Sequence, residues 1–315
     1  MTFSTRIKEE ITQNQIGRIE MQSELSSVIR YDAKINKHEI SITFENASVA
    51  RRIYKDLKEL FNININITVR NQKRLRNKQI YILEIKEKVT EILKFLEISE
   101  NNKKLDMKEE YLEAVEEKIA FIRGTFLVTG SINDPSTSGY HLEFVFSSKK
   151  DALFIQKLLA SLNFEAKVLK RSNRYMVYMK SAEAISDMIK AFGAINSLFY
   201  FEDIRIYRDH KNMVNRLNNC EIANQEKTTE TGLKQLKIID YLQKNDLLDL
   251  LEEKTKIILE YRLKYPESSY QELAEIITME TGYKIGKSGI NHHFIKMRKL
   301  VESHERRSDN GRIDK

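Results

Sequence analysis

The sequence predicts an α+β protein in which one αββαββα order occurs twice and is followed by an all-α unit of three helices. Three observations lead there. The stretch Ile122-Arg123-Gly124-Thr125-Phe126-Leu127-Val128-Thr129-Gly130-Ser131-Ile132 carries apolar residues at helical spacing around an internal glycine. A related stretch, Ser23 to Ile35, stands earlier in the chain. Aligning Ile35 with Ile132 sets Ser27 on Gly124, Asp32 on Thr129 and Ala33 on Gly130, the mark of an internal repeat. Near the end of the chain, a capped short helix, a glycine-containing turn and a helix with one apolar stripe follow in succession.

The two glycines of the first stretch need physical reasons. Gly124 lies inside a helix, where glycine costs roughly 1 kcal/mol against alanine. Close approach of a second helix is the usual compensation, and the small residues Ser23 and Ser27 make the earlier helix its expected partner. Gly130 is expected to end the helix in the left-handed conformation that glycine adopts readily.

The elements follow in order. A polar helix is expected over residues 3 to 14 and the first repeat helix over 17 to 32. Ile40, Ile42 and Phe44 alternate as a strand. Ala50, Ile53, Tyr54, Leu57 and Leu60 stripe a helix over 47 to 61. A hairpin follows, with Ile63, Ile65, Ile67 and Val69 on one arm, Ile80 and Ile82 on the other, and a tip at 70 to 78. A helix over 89 to 96 ends the first copy, and the polar residues 99 to 108 read as a linker. The order then returns: helix 108 to 129, a turn at 134 to 139, and a strand alternating Tyr140, Leu142, Phe144 and Phe146. Helix 149 to 162, a hairpin with its tip at 170 to 174, and helix 182 to 192 complete the copy. Residues 195 to 245 read as one polar helix. Helices over 252 to 264, 270 to 280 and 288 to 303 close the chain. Pro266 breaks the first, and Ser269 with Glu272 forms a capping box on the second.

Composition narrows the function. Across 315 residues, 41% hydrophobic content supports a real core, and a net charge of +7 with pI near 9.1 favours an anionic partner. Cys220 is the sole cysteine, which excludes an intramolecular disulfide and a thiolate metal cluster. The charged start and the lack of a long uncharged apolar run point to a cytoplasmic protein with no membrane contact. His38, His141, His210 and His304 lack metal-ligand spacing. No phosphate-cradling glycine loop or serine-histidine-aspartate signature occurs, so no metal and no cofactor is expected.

The last three helices carry the sharpest chemistry. In the third, Ile290, Phe294, Met297 and Val301 make the buried stripe, and the opposite face offers Lys287, Ser288, Asn291, His292, His293, Lys296, Arg298 and Lys299. This is the pattern of a helix-turn-helix reader of double-stranded DNA. Ser288, Asn291 and His292 would face base edges, while Lys287, Lys296, Arg298 and Lys299 would hold phosphates. Ser269, at the start of the second helix, joins that set. A protein-binding helical unit with a solvated basic face is the plainer alternative. The two hairpin tips add a candidate second DNA surface: Lys73, Arg74, Arg76 and Lys78 in one copy, Lys170, Arg171 and Arg174 in the other.

With these residues in view, the chain resembles the WhiA family nearly end to end. The resemblance rests on Arg123-Gly124-Thr125-Phe126-Leu127, Gly130-Ser131-Ile132-Asn133 and Tyr140-His141-Leu142-Glu143. It rests further on Asn219-Cys220-Glu221 with Ala223-Asn224 and Lys227-Thr228, and on Lys287-Ser288-Gly289-Ile290-Asn291-His292. It implies an N-terminal domain of LAGLIDADG homing-endonuclease type and a C-terminal helix-turn-helix resembling the promoter-reading region of sigma factors. It also implies a nucleoid-associated role in DNA binding, transcriptional control and cell division or chromosome segregation, with sporulation control in some lineages. In the nucleases of that fold, each of the two repeat helices ends in a carboxylate, and the pair holds divalent metals over the scissile phosphates. Here the two positions are Asp32 and Thr129, and a single carboxylate cannot supply a symmetric two-metal site. The expectation is therefore a non-enzyme, with a residual metal-dependent nuclease using Asp32 as the alternative. In many relatives an arginine is expected where His293 stands, which would weaken one phosphate contact.

The expected division is 1–98 and 99–195 for the two repeats, 196–250 for a helical linker, 251–304 for the helix-turn-helix and 305–315 for a disordered tail. The first two could give a second DNA surface or dock a protein partner. An internal twofold is compatible with a monomer.

Overall fold

A computed structural model describes residues 1–72, 78–98, 112–137 and 139–313, with backbone alone for 72, 78 and 307–313. The chain divides into two compact units, Met1–Asp209 and His210–Lys315.

In the first unit, α1 (Phe3–Ile11) precedes two copies of one arrangement. The first copy runs α2 (Arg18–Asp32), β1 (Lys34–Asn36), β2 (Glu39–Phe44), α3 (Ala47–Phe61), β3 (Ile65–Gln72), β4 (Lys78–Ile85) and α4 (Val89–Phe95). The second runs α5 (Val115–Thr129), β5 (Gly130–Ile132), β6 (Leu142–Phe146), α6 (Lys149–Ser161), β7 (Lys167–Arg171), β8 (Arg174–Met179) and α7 (Ala182–Ala191). Each copy folds into an antiparallel four-stranded sheet, and the strand orders match: β1-β2-β4-β3 and β5-β6-β8-β7. The repeat helices correspond residue for residue under the alignment of Ile35 with Ile132, since Arg18 falls on Val115 and Asp32 on Thr129.

These two helices pack along each other. Seven consecutive residues of α2, Ser23 to Ile29, and eight of α5, Ala120 to Leu127, are buried, so each helix is covered all round over its contact length. A β-carbon on Gly124 would collide with the Ser27 hydroxyl and the Glu24 carbonyl, so glycine sets how closely the helices approach. The core continues through Leu25, Ile29, Phe121, Phe126 and the inward faces of both sheets. Gly130 departs from expectation. Its backbone is extended (φ −89°, ψ 150°), as is that of its counterpart Ala33 (φ −75°, ψ 144°). Glycine is needed there for room, because a β-carbon would run into the Phe126 ring and backbone.

The N-terminal helix ties the copies together. The Ser4 hydroxyl donates to the Ile132 carbonyl (2.7 Å) and accepts from the Ile132 amide (2.8 Å). The Asn14 amide donates to the Phe192 and Gly193 carbonyls, both at 3.2 Å.

Helix α8 (Ile195–Lys244) opens in the first unit and closes in the second. The second unit continues with a 3-10 turn (Leu248–Leu250), α9 (Glu253–Lys264), α10 (Tyr270–Thr281) and α11 (Lys287–Ile313). Its core joins Ile239, Leu242 and Leu247 to Ile258, Leu273, Ile277, Ile290, Phe294, Met297 and Val301. Two expectations change here. Ile239 and Leu242, in the last turns of α8, and Leu247 just after it fall within the expected linker but are part of this core. Helix α11 continues to Ile313, past residue 304 where a disordered tail was expected.

Candidate nucleic-acid interface

The second unit builds its site from helix ends. Ser269 caps α10: its hydroxyl accepts from the Glu272 amide (3.2 Å), and the Glu272 carboxylate accepts from the Ser269 amide (2.7 Å). That reciprocal pair fixes where α10 starts. At the other end Gly282 adopts φ +73°, the left-handed conformation that turns the chain toward α11.

Helix α11 is buried along Ile290, Phe294, Met297 and Val301, as its sequence period predicts. The opposite face presents Lys287, Ser288, Asn291, His292, Lys296, Arg298 and Lys299, all exposed. Lys296 reaches the Glu252 carboxylate at 3.4 Å across the surface. His293 is a correction to the expected basic face. It is 9% exposed, and its Nδ1 lies 2.9 Å from the Thr255 hydroxyl. Burial, with Lys296 nearby, holds its pKa below the ordinary histidine value, so at neutral pH it is an uncharged core residue bridging α11 and α9. Adjacent histidines on a helix point about 100° apart, and here only His292 faces out.

Arg262 was not singled out in the sequence. A basic residue in the last turn of α9 reads as an exposed partner of the helix carbonyls. In the fold it is 1% exposed, and its Nη1 donates to the Ser268 carbonyl at 2.6 Å, with the Tyr265 carbonyl at 3.2 Å. The motif residues Asn219, Cys220, Glu221, Ala223 and Asn224 are exposed on α8, and Thr228 turns its hydroxyl back to the Asn224 carbonyl (2.9 Å).

In the first unit the two helix ends at the pseudo-twofold axis are chemically unequal. The Thr129 hydroxyl donates to the Thr125 carbonyl of its own helix (2.9 Å). Asp32 is half-buried, and its Oδ2 is shut off from solvent without a hydrogen-bond partner. Burial raises its pKa to about 6, opposed by the Thr43 amide and the charge of Lys8. Lys8 is itself lowered to about 8 by burial, against the attraction of Glu45 and Asp32, and its ammonium lies 5.4 Å from the Phe126 ring centre. A side-chain ammonium thus supplies positive charge beside the one carboxylate left at the two helix ends, and Glu45 is the other carboxylate near it. That donor set does not fit a two-metal centre.

Of the second expected surface, Lys170, Arg171 and Arg174 are exposed at the β7–β8 tip, where Ser172 takes φ +53°. Lys73, Arg74 and Arg76, and the side chain of Lys78, lie outside the described residues.

Sequence reading also missed a buried ionic cluster on the repeat helices. Glu24 is fully buried. Its Oε1 accepts from Arg52 Nε (2.5 Å) and its Oε2 from Arg123 Nε (2.7 Å), so one carboxylate of α2 binds guanidinium groups from α3 and α5. Arg123, immediately before Gly124, was the available signal, since an arginine in a helix destined for burial requires a carboxylate partner.

Comparison with known proteins agrees with this architecture. Residues 18–99 match the WhiA N-terminal LAGLIDADG-like domain, residues 118–211 the WhiA LAGLIDADG-like domain and residues 214–301 the WhiA C-terminal HTH domain. The chain is 37% identical over 308 residues to the probable cell division protein WhiA of Bacillus cytotoxicus, covering 96% of each. It is 36% identical over 312 residues to that of Oceanobacillus iheyensis, covering 97% of this chain and 98% of the relative. The crystal structure of full-length DUF199/WhiA from Thermatoga maritima shares the fold, with a TM-score of 0.58 and 24% identity over 96% of this chain and 99% of that one. No helix among the described residues is long and apolar enough to cross a membrane. A duplicated LAGLIDADG-like unit, joined in one chain to a helix-turn-helix and matched end to end by these relatives, places the chain in the WhiA family.

Proposed function

We propose that this protein binds double-stranded DNA as a transcriptional regulator acting in cell division and chromosome segregation, and that its LAGLIDADG-like unit is not a nuclease. The observation that carries the reading is the exposed face of α11, with Lys287, Ser288, Asn291, His292, Lys296, Arg298 and Lys299 opposite a fully buried stripe. Asn291 and His292 read base edges, Ser288 assists, and the lysines with Arg298 hold phosphates. Ser269 contributes its O–H, since its oxygen already accepts from the α10 amide. The relatives named for cell division support the cellular role. The unequal pair Asp32 and Thr129, with the charge of Lys8 at hand, supports the loss of hydrolysis.

The domains in this reading are the two repeats, 1–98 and 99–195, and a reader over 251–304 that recruits the last turns of α8. The first unit serves as a second DNA surface through Lys170, Arg171 and Arg174, or docks a protein partner. The protein works in the cytoplasm at the nucleoid.

The test is binding of the full chain to promoter and scrambled duplexes across a salt series. Discrimination that weakens at one base position in Asn291→Ala supports the reading, and equal affinity for all duplexes in the unaltered protein refutes sequence-specific regulation. Cutting of DNA in magnesium that Asp32→Ala abolishes would refute the non-enzymatic assignment.

A further inference from the structure

Within the second unit, a cleft of about 240 Å³ is lined by Lys227 and Thr228 of α8, Arg262 of α9, Ser269 and Gln271 at the start of α10, and Lys287 at the start of α11. Three cations line it and no carboxylate does. The first-turn amides of Tyr270 and Gln271 have no intrahelical acceptor, so α10 directs N–H groups and the positive end of its dipole to the same space. The wall is close-packed: Gly232 lies against the Pro266 carbonyl, where a β-carbon would collide. The side-chain amide of Gln235 donates to the Tyr270 hydroxyl (2.5 Å).

Arg262, in the wall of this cleft, is a second and independent feature. It is 99% buried and bonded through Nη1 only to carbonyl oxygens. Its Nε has no partner, and it forms no ion pair among the described residues. A buried guanidinium without a counter-ion is costly. An anion in the cleft that this arginine lines would supply the missing charge.

We infer that this cleft is a phosphate seat and that its occupant is a backbone phosphodiester of bound DNA, held jointly by α8, α9, α10 and α11. The inference rests on the proposed DNA-binding function and deepens it by giving Lys227 and Thr228 of the α8 motif a part in the reader. A phosphate there lies against Lys287, which opens α11, and so fixes the register in which Ser288 and Asn291 meet the bases.

The experiment uses the full chain and a short mixed-sequence duplex in a potassium chloride series. Lys227 is exposed and outside the core, so Lys227→Gln leaves the fold intact. It should weaken binding to every duplex alike and reduce the salt slope by roughly 1. Lys234→Gln, on the same helix but ion-paired to Glu230 and outside the cleft, should leave the slope as it was. Arg262→Gln should reproduce the loss in slope in protein whose circular dichroism matches the parent. An unchanged slope in Lys227→Gln overturns the seat while leaving the DNA-binding function standing. Absence of any duplex affinity in the unaltered chain overturns both. Titration with inorganic phosphate and dATP separates the sources: Lys227-dependent binding of either, with an unchanged DNA slope, would assign the cleft to a free phosphate compound and refute the backbone occupant.

Discussion

Ser27 of α2 fills the place where Gly124 of α5 lacks a β-carbon. The two positions are equivalent in the repeat, so the internal symmetry is broken at its own axis: one copy contributes a hydroxymethyl group and the other the space for it. The approach this permits buries both helices along their contact and positions the ends at Asp32 and Thr129.

Gly124→Ala tests that contact. Helix propensity alone would stabilise by about 1 kcal/mol. The added carbon meets the Glu24 backbone as well as the Ser27 side chain, so overpacking of roughly 1–3 kcal/mol should exceed that gain. Denaturant unfolding should show net destabilisation, and Ser27→Ala in the same chain should restore only part of it because the carbonyl remains. A more stable Gly124→Ala protein would refute the close-approach account.

Arg123→Met tests the buried cluster. Glu24 would lose its second guanidinium but stay paired with Arg52, so the cost should fall below the roughly 3–5 kcal/mol of a buried charge left uncompensated. The expected result is a lower unfolding midpoint with an unchanged denaturant slope.

Asp32 makes stability depend on pH. Its folded pKa, about 6, lies above the ordinary aspartate value of 3.8, so the folded chain binds the extra proton between those values. The stabilisation is complete below pH 3.8 and is lost as pH rises through about 6. Asp32→Asn removes the ionisation and should raise stability at pH 7.5 by an amount of order 2 kcal/mol, with the difference fading toward pH 4. An equal difference at both pH values would disprove the buried-carboxylate explanation.

The neighbouring histidines should separate cleanly. His293→Ala removes a core contact and the bond to Thr255, so it should lower stability, with DNA discrimination intact in the folded fraction. Its depressed pKa means that the unfolded chain takes the proton first, so its stabilisation is present above about pH 6.5 and is lost as pH falls. His292→Ala should leave the melting temperature unchanged and weaken base discrimination. Asn291→Ala should cost about 1–3 kcal/mol at a single base position.

Much of this molecule was legible from its own residues. The repeat was visible because Gly124, Gly130 and their counterparts Ser27 and Ala33 sit at one offset, and the helix bounds obey that offset. The α10 cap and the α11 stripe could be read because both are local, set by chemistry within one or two turns. Tertiary structure alone decided the rest. Gly130 is required by the Phe126 ring and not by its dihedral angles. His293 belongs to the core because α9 packs over it. The last turns of α8 belong to the second unit. Glu24, Arg52 and Arg123 share one buried charge network although the first and last stand 99 residues apart, and Arg262 is buried without a counter-ion. Periodicity and capping state which way a side chain leaves its own helix. Which distant groups meet it, and whether water still reaches it, depends on the packing of other elements, and that fixes its charge, its room and its partner.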